Sequence, residues 1–489
     1  MSFLGRATTL LTLALGLSTG VPAVAQAGQS WTQIPIPPLH AFNPRQPTRV
    51  ELPNGLVLFL EEDHELPFID GSILIRGGRR DEPSGKTGLI NLYGQTWRTS
   101  GTTKVNGDTL DDQMENKGAR IETSGGLAST SLSWSSLKSD FDGVFALATD
   151  LLLHPAFNPE KLDLAKQQVA TGISRRNDSA EAIAGREVSL LAYGRNSPYG
   201  RQIEYATIAA VTIADLETWH GKTVIPNGII VAVSGDFDSK QMEAKLRSAF
   251  GDLKRGTPIA PEKADFPGPK PGVFFVEKND VNQSSVNVFG LGTERNNPDL
   301  YALDVMNEIF SGGFSSRVFK EVRTRLGLAY SVGGSYGASY DHPGLFVVGV
   351  GTKSESTVPA TKAVLDQIGK LKTEPPSAEE LKNAKDQVLN SFIFNYDSPD
   401  KILNEQTTLA FYGYPLDFVE KYRVGVEKVS AADVSRVANK YIDVSKLAII
   451  VVGNDQQMKP PLSALGVITP VDVTIPPPPG GGSQAPQAQ

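Results

Sequence analysis

An internal repeat with a constant offset constrains the fold of this 489-residue chain more than any other feature. Residues 165–169, Ala-Lys-Gln-Gln-Val, recur at 384–388 as Ala-Lys-Asp-Gln-Val, and Asp-Ser at 178–179 recurs at 397–398. Tyr-Gly at 193–194 recurs in the same way, and all three offsets are 219 residues. A repeat of this length indicates two copies of one domain-sized fold rather than a short-period solenoid.

Within each copy, strand patterns come first and helical patterns follow. An Asn-Gly turn at 54–55 lies between two short apolar segments and predicts a hairpin, while residues 69–75 alternate in the manner of a strand. Residues 159–175 have helical spacing. The order predicts the α+β class, with two homologous halves at 45–253 and 273–465. Each half is expected to be a mixed, mostly antiparallel sheet with helices packed on one face.

The segments outside the two halves have distinct compositions. Five prolines between 254 and 272 predict an extended linker. Residues 1–27 carry Arg6, a short apolar stretch and small residues at candidate cleavage positions, which predicts a signal peptide and a periplasmic or secreted protein. The Pro- and Gly-rich tail at 476–489 is expected to be disordered. No later segment has the unbroken apolar length of a membrane-spanning helix.

Composition excludes several classes of function. The chain has no cysteine, which rules out a thiol nucleophile, a cysteine-bound metal and any disulfide. The net charge of −7 and the lack of a basic run argue against a nucleic-acid partner. The five histidines are all more than five residues apart, so neither H-E-x-x-H nor H-x-x-E-H occurs.

Residues 88–102 resemble the zinc-site helix of the pitrilysin/insulinase peptidases, which reads roughly G-L-x-H-x-x-E-H. Asn91, Gly94 and Gln95 occupy the positions of the first His, the Glu and the second His. The family's third ligand, a glutamate on a later helix, would fall at 169–174, where there is no carboxylate. Neutral amides are poor zinc ligands, and glycine has no side chain to act as a base. We therefore expect a degenerate zinc helix at 87–98 and no metal or other cofactor bound by this chain alone.

Residues 311–331 are similar to the glycine-rich turn, helix and strand of the same family's C-terminal half. There an arginine and a tyrosine seven residues further on reach the zinc site of the facing half, and Arg323 and Tyr330 match them. The resemblance implies that this pair binds substrate and stabilises charge on the carbonyl oxygen. The alternative is that Arg323 is a cation favoured at a helix C-terminus and Tyr330 is a half-buried strand residue.

The resemblance covers about residues 45–465 and implies two halves closed like a clam around a peptide chamber. Family members of this half-size often work in pairs, in which one chain supplies zinc. The leading hypothesis is a non-catalytic subunit of an exported zinc peptidase that binds extended peptides and supplies Arg323 and Tyr330 to a catalytic partner of the same family. One alternative is a peptide-binding or structural assembly protein without peptidase activity. Another is a metal-independent serine hydrolase that uses Ser335 in the G-x-S-x-G at 333–337.

Overall fold

The computed structural model describes residues 46–480, and all of them belong to one compact unit. The predicted signal peptide at 1–27 and most of the predicted tail at 476–489 lie outside the described residues. Among the described residues, no helix combines the length and the apolar character needed to cross a bilayer.

The first half contains a six-stranded sheet and eight helices. The strands are β1 (Thr48–Glu51), β2 (Val57–Glu62), β3 (Phe68–Arg76), β4 (Arg120–Gly125), β5 (Ser129–Leu137) and β6 (Ile229–Gly235). The helices are α1 (Leu89–Ser100), α2 (Gly107–Lys117), α3 (Phe141–Leu153), α4 (Pro159–Ser174), α5 (Ala180–Tyr193), α6 (Tyr205–Ala209), α7 (Ile213–Thr223) and α8 (Ser239–Phe250). The predicted zinc helix at 87–98 is thus α1, displaced by two residues.

The second half repeats this plan. Its strands are β7 (Gly272–Glu277), β8 (Gln283–Leu291), β9 (Thr293–Glu294), β10 (Ser331–Tyr336), β11 (Ala338–Ser339), β12 (Leu345–Lys353), β13 (Ala448–Gly453) and β14 (Ile468–Pro470). Its α-helices are α9 (Leu300–Ser311), α10 (Thr357–Thr373), α11 (Ala378–Phe392), α12 (Pro399–Tyr412), α13 (Phe418–Lys428) and α14 (Ala431–Tyr441). Phe319–Arg325 is π-helical. The segment between the halves, 254–271, contains neither helix nor strand. Strand β14 lies beyond 465, where the second half was expected to end.

The order of the five core strands is the same in both sheets, and each sheet has one further edge strand, β1 or β14. The first sheet runs β1-β2-β6-β3-β5-β4, and the second, taken from its other edge, runs β14-β7-β13-β8-β12-β10. In each sheet, the core strand that comes first in the chain pairs parallel with the core strand that comes last: β2 with β6, and β7 with β13. The other core pairs are antiparallel. The predicted α+β class with two homologous halves is therefore confirmed.

The repeated dipeptides mark the ends of equivalent helices. Ser179 accepts a hydrogen bond from the Ala182 amide at the start of α5, and Ser398 accepts one from the Lys401 amide at the start of α12. Each helix ends at a Tyr-Gly pair whose glycine has a positive φ, 88° at Gly194 and 75° at Gly413. The repeat at offset 219 thus encodes the two boundaries of one helix in each half.

The halves exchange these two helices. Helix α5 packs on β8 and β13 of the second sheet, and α12 packs on β2 and β6 of the first. The contacts bury Ile183 and Val188 against Ile450, and Leu403 against Ile230. Each sheet is thus covered on one face by its own helices and on the other by a helix of the other half. This explains why β6 and β13 are buried along almost their whole length and are mostly apolar.

Polar contacts also join the halves. The buried Arg80 side chain donates to Asp341 of the second half. Beyond β14, the Val471 amide donates to the Phe275 carbonyl at 2.8 Å, and Asn177 donates to the Val473 carbonyl at 2.7 Å. The chain after the last strand therefore returns to the first half and ties the two halves together.

Candidate functional site

Helix α1 presents its degenerate positions to a small pocket of about 380 Å³. Asn91 and Gln95 lie on one wall, and α4 supplies Val169, Gly172 and Ile173 from the segment where a third zinc ligand was sought. The structure therefore places together the three positions at which the resembling family has its zinc ligands. None of them carries an imidazole or a carboxylate.

Several polar groups of this pocket are hydrogen-bonded. The Gln95 amide nitrogen donates to Asn91 Oδ1 at 3.0 Å. Arg176 also lines the pocket, and its guanidinium donates to the Ile203 carbonyl and to Glu204, both at 3.0 Å. Two neutral amides that are bonded to each other, without an imidazole or carboxylate in the pocket wall, offer a zinc ion no strong ligand. The residues present do not fit a zinc ion.

Gly94 is in close contact with strand β4. A β-carbon on residue 94 would lie 2.7 Å from the Gly125 nitrogen and 2.9 Å from the Ser124 carbonyl carbon. Thr123 Oγ1 donates to the Gly94 carbonyl at 2.6 Å. Helix α1 therefore packs directly on the strand, and there is no room at this position for the glutamate of the family motif.

The histidines within the described residues are engaged elsewhere. His220 is buried, with Nδ1 2.8 Å from the Tyr93 hydroxyl and Nε2 2.9 Å from the Leu152 carbonyl, and burial lowers its pKa to about 4. His154 pairs with Asp150 at 2.9 Å. Within residues 46–480, no three His, Cys, Asp or Glu side chains are grouped so that they could hold a metal ion.

Arg323 and Tyr330 form an exposed pair. The Arg323 guanidinium lies 5.7 Å from the centre of the Tyr330 ring and 4.9 Å from that of Phe319. Tyr330 is 79% exposed, so it is not the half-buried strand residue of the alternative interpretation. Arg325 pairs with Glu321, whereas no carboxylate among the described residues lies within ion-pair distance of Arg323.

The backbone that carries Arg323 is unusual. The amide of Leu326 donates to the carbonyl of Glu321 at 2.9 Å, which is the i to i+5 bond of a π-helix. Such segments are uncommon and occur frequently at functional sites. Here the π-helical turn places the guanidinium between two aromatic rings and leaves it in solvent.

Tyr330 lines a large cavity of about 1220 Å³. Its amide donates to the Gly351 carbonyl at 2.9 Å, which fixes the residue at the start of β10. Small and polar residues of β8, β10 and β12 line the cavity; they include Ser285, Asn287, Ser331, Gly333 and Gly349. Strand β10 is an edge of its sheet. Such a surface admits an extended chain that pairs with the edge strand.

Two other motifs have ordinary structural roles. Ser335 is exposed within β10, and the next element is strand β11, whereas a nucleophile elbow needs a following helix. His342 lies in the contact between the halves, bonded to Asp341 and 4.3 Å from the Tyr199 ring. This geometry does not support the serine hydrolase.

Sequence analysis did not single out Gly125 or Arg176. Gly125 opens a Gly-Gly pair at the end of β4, and this pair is the signal that a helix approaches the strand closely. Nothing in the local sequence marks Arg176 as a pocket residue.

Comparisons with known proteins agree with the geometry. A family model described as Insulinase (Peptidase family M16) matches residues 57–207, and one described as Peptidase M16 inactive domain matches 210–388. An uncharacterized zinc protease of Rickettsia felis is 24% identical over 417 residues, 83% of this chain and 97% of its own length. A protein named non-peptidase homolog YmxG, from Helicobacter pylori, is 23% identical over 457 residues, 92% of this chain and 99% of its own.

Solved structures show the same fold. A peptidase M16 inactive domain from Pseudomonas fluorescens matches with a TM-score of 0.77 at 23% identity, covering 85% of this chain and 100% of that one. A protease from Helicobacter pylori matches with a TM-score of 0.73 at 20% identity, covering 84% and 100%.

Proposed function

Because the chain belongs to the insulinase (M16) peptidase family, as an inactive member without the zinc ligands, we propose that it is the non-catalytic subunit of an exported heteromeric zinc peptidase. A second family member would carry the zinc ion. This chain would bind extended peptides and supply Arg323 and Tyr330 to the partner's active site.

One observation carries the proposal: a chain whose zinc helix lacks the family's ligands exposes Arg323 beside Tyr330, and Arg323 has no carboxylate partner within residues 46–480. A guanidinium stays charged at all physiological pH values and offers several donors, and a phenol can donate to an oxygen on which charge builds. Both groups are exposed, Tyr330 lines the cavity of about 1220 Å³, and the Arg323 guanidinium lies beside the Tyr330 ring. Groups in this position are available to a second chain and to a peptide lying along β10.

Co-purification with metal analysis tests this proposal. The full chain is expressed with an affinity tag in its native host, isolated from the exported fraction, and analysed for zinc and for bound proteins. We expect a zinc-bearing M16 relative to co-purify, and peptidase activity to appear only in the mixed complex. Tightly held stoichiometric zinc in the chain alone would contradict it, and so would recovery only from the cytoplasm.

The alternative function is a peptide-binding or structural assembly protein without peptidase activity. The relative named non-peptidase homolog, which this chain matches along nearly its whole length, supports this alternative. The same experiment separates the two: co-purification of peptides or of proteins outside the family, without zinc or proteolysis, favours the alternative.

A further inference from the structure

The two halves correspond residue for residue near one edge of each sheet. Helices α1 and α9 both have 12 residues and begin at 89 and 300, while the edge strands β4 and β10 both have 6 and begin at 120 and 331. The offset is 211 residues before and after the segment between them, so α2 at 107–117 corresponds to residues 318–328 without insertion or deletion. Asp112 is therefore the equivalent of Arg323.

The two equivalent segments have opposite charge. Residues 107–117 contain four acidic side chains and one lysine, a net charge of −3. Residues 318–328 contain three basic side chains and one glutamate, a net charge of +2. One chain thus presents, at equivalent places in its two halves, one face that attracts cations and one that attracts anions.

Several of these charges have no partner inside the chain. Asp112 and Glu115 are exposed, and no cation within residues 46–480 lies at ion-pair distance from either. Lys320 and Arg323 are likewise exposed and have no carboxylate at that distance in the same part of the chain. The remaining charges are paired with neighbours, Asp108 with Lys161, Asp111 with Arg98 and Arg325 with Glu321. Each segment therefore keeps two charges for contact with another molecule.

Exposed aromatic rings flank the basic segment. Phe314 is 78% exposed and Tyr330 is 79% exposed. The Phe314 ring lies 4.9 Å from that of Phe319, and Ser316 Oγ donates to the Gly313 carbonyl at 2.7 Å, which holds the turn that carries Phe314. Exposed aromatic residues together with arginine are the composition that protein–protein interfaces favour. This face of the second half thus resembles an interface in its composition.

We propose that the chain pairs with a second copy of itself, with α2 of each copy against residues 318–328 of the other, so that Asp112 meets Arg323. A two-fold axis makes this contact twice and closes the dimer. The signs of charge select this crossed arrangement, because first half on first half would bring two acidic faces together. The inference does not rest on the proposed function. The two compete for Arg323, so a catalytic partner would have to displace the second copy.

Analytical ultracentrifugation of the purified full chain tests the inference. We expect a dimer at about 50 µM protein in about 50 mM NaCl, and dissociation as the salt rises towards about 1 M, because salt screens contacts between exposed charges. A chain that stays monomeric at the lower salt concentration overturns the inference.

Reversed charges locate the contact. Asp112→Arg and Arg323→Asp should each weaken the dimer about tenfold or more, because each places like charges together at both contacts. The double variant that carries both changes should return to within about threefold of the unaltered affinity. The control combines Asp112→Arg with Arg325→Asp, since Arg325 is already paired with Glu321, and it should remain weak. Unchanged affinity in the single variants, or equal recovery in the two double variants, overturns the inference.

Failure of this inference is distinguishable from failure of the proposed function. A chain that is monomeric alone and binds a zinc-bearing M16 relative overturns self-pairing and supports the proposed function. A dimer that responds to the charge exchange, with no such relative in the co-purified material, supports self-pairing and contradicts the proposed function.

Discussion

Gly94 of helix α1 lies so close to Gly125 of strand β4 that a β-carbon on residue 94 would be 2.7 Å from the Gly125 nitrogen. The position that carries the catalytic base elsewhere in the family is thus a helix–strand contact in this chain. The loss of zinc chemistry is therefore built into the packing as well as into the choice of side chains.

Gly94→Ala should destabilise the protein. The added methyl group must push α1 away from β4, and overpacking of this kind costs about 1–3 kcal/mol. Gly143→Ala is the control, because a β-carbon there meets nothing within 4 Å and alanine favours the helix. Urea unfolding measures the free energy of unfolding of both variants. Equal stability of the two variants would show that helix α1 and strand β4 are less closely packed than their geometry indicates.

The triple variant N91H/G94E/Q95H is expected to take up no stoichiometric zinc.

Arg323→Ala should impair turnover in the assembled complex. If the guanidinium stabilises charge in the partner's active site, its loss lowers kcat by roughly 10²–10³ while peptide binding is partly retained. Arg325→Ala, two residues away, removes an arginine that is already paired with Glu321 and should leave kcat nearly unchanged. Single-turnover assays on the complex that carries Arg323→Ala and on the complex that carries Arg325→Ala measure the two rates. Normal turnover by the Arg323 variant would end the proposal that this chain completes a partner's site.

Leu403→Ala should destabilise both halves together. Leu403 lies on α12 but is buried against the sheet of the first half, and truncation of such a leucine costs about 2–5 kcal/mol. Leu164→Ala is the control, because Leu164 is 47% exposed. We expect a single unfolding transition, shifted to lower urea. Two separate transitions, with only one of them shifted, would mean that the exchanged helices do not couple the halves.

Asp341→Asn should destabilise the contact between the halves. It removes the carboxylate to which the buried Arg80 guanidinium donates and leaves it only Asp81, 3.8 Å from its Nε, so the loss of this half-buried contact should cost about 1–3 kcal/mol. Asp386→Asn breaks an exposed pair with Lys382 and should cost less than about 1 kcal/mol. Chemical denaturation measures the free energy of unfolding of the Asp341→Asn and Asp386→Asn variants. A cost at Asp341 no larger than at Asp386 would refute a structural role for the pair.

Glu380→Gln should flatten the loss of stability in acid. Arg317 donates to both Glu380 oxygens, at 2.7 and 2.9 Å, and lowers the pKa of this carboxyl to about 2 from an ordinary 4.5. Because the folded pKa is the lower one, the stabilisation is present above pH 4.5 and is lost as the pH falls towards 2. Melting temperatures measured across this range should fall less steeply in the variant. Identical slopes of melting temperature against pH in the variant and the unaltered protein would contradict the lowered pKa of Glu380.

Much of the fold was predictable because the information is local or periodic. The repeat at offset 219 and the alternating strand segments indicated two α+β halves, and the dipeptides that mark α5 and α12 were visible as repeats. Asn91, Gly94 and Gln95 carry neither the imidazole nor the carboxylate that a zinc site needs, whatever surrounds them.

Only the tertiary structure decided the features that depend on contacts between distant residues. The exchange of α5 and α12 follows from how two sheets bury their second apolar faces, and a single helix pattern does not say which sheet it will cover. The approach of Gly94 to Gly125 and the exposure of Tyr330 likewise depend on strand register and helix packing. The sequence by itself determined what the side chains can do, and packing determined which of them meet, because burial and proximity are properties of the whole folded chain.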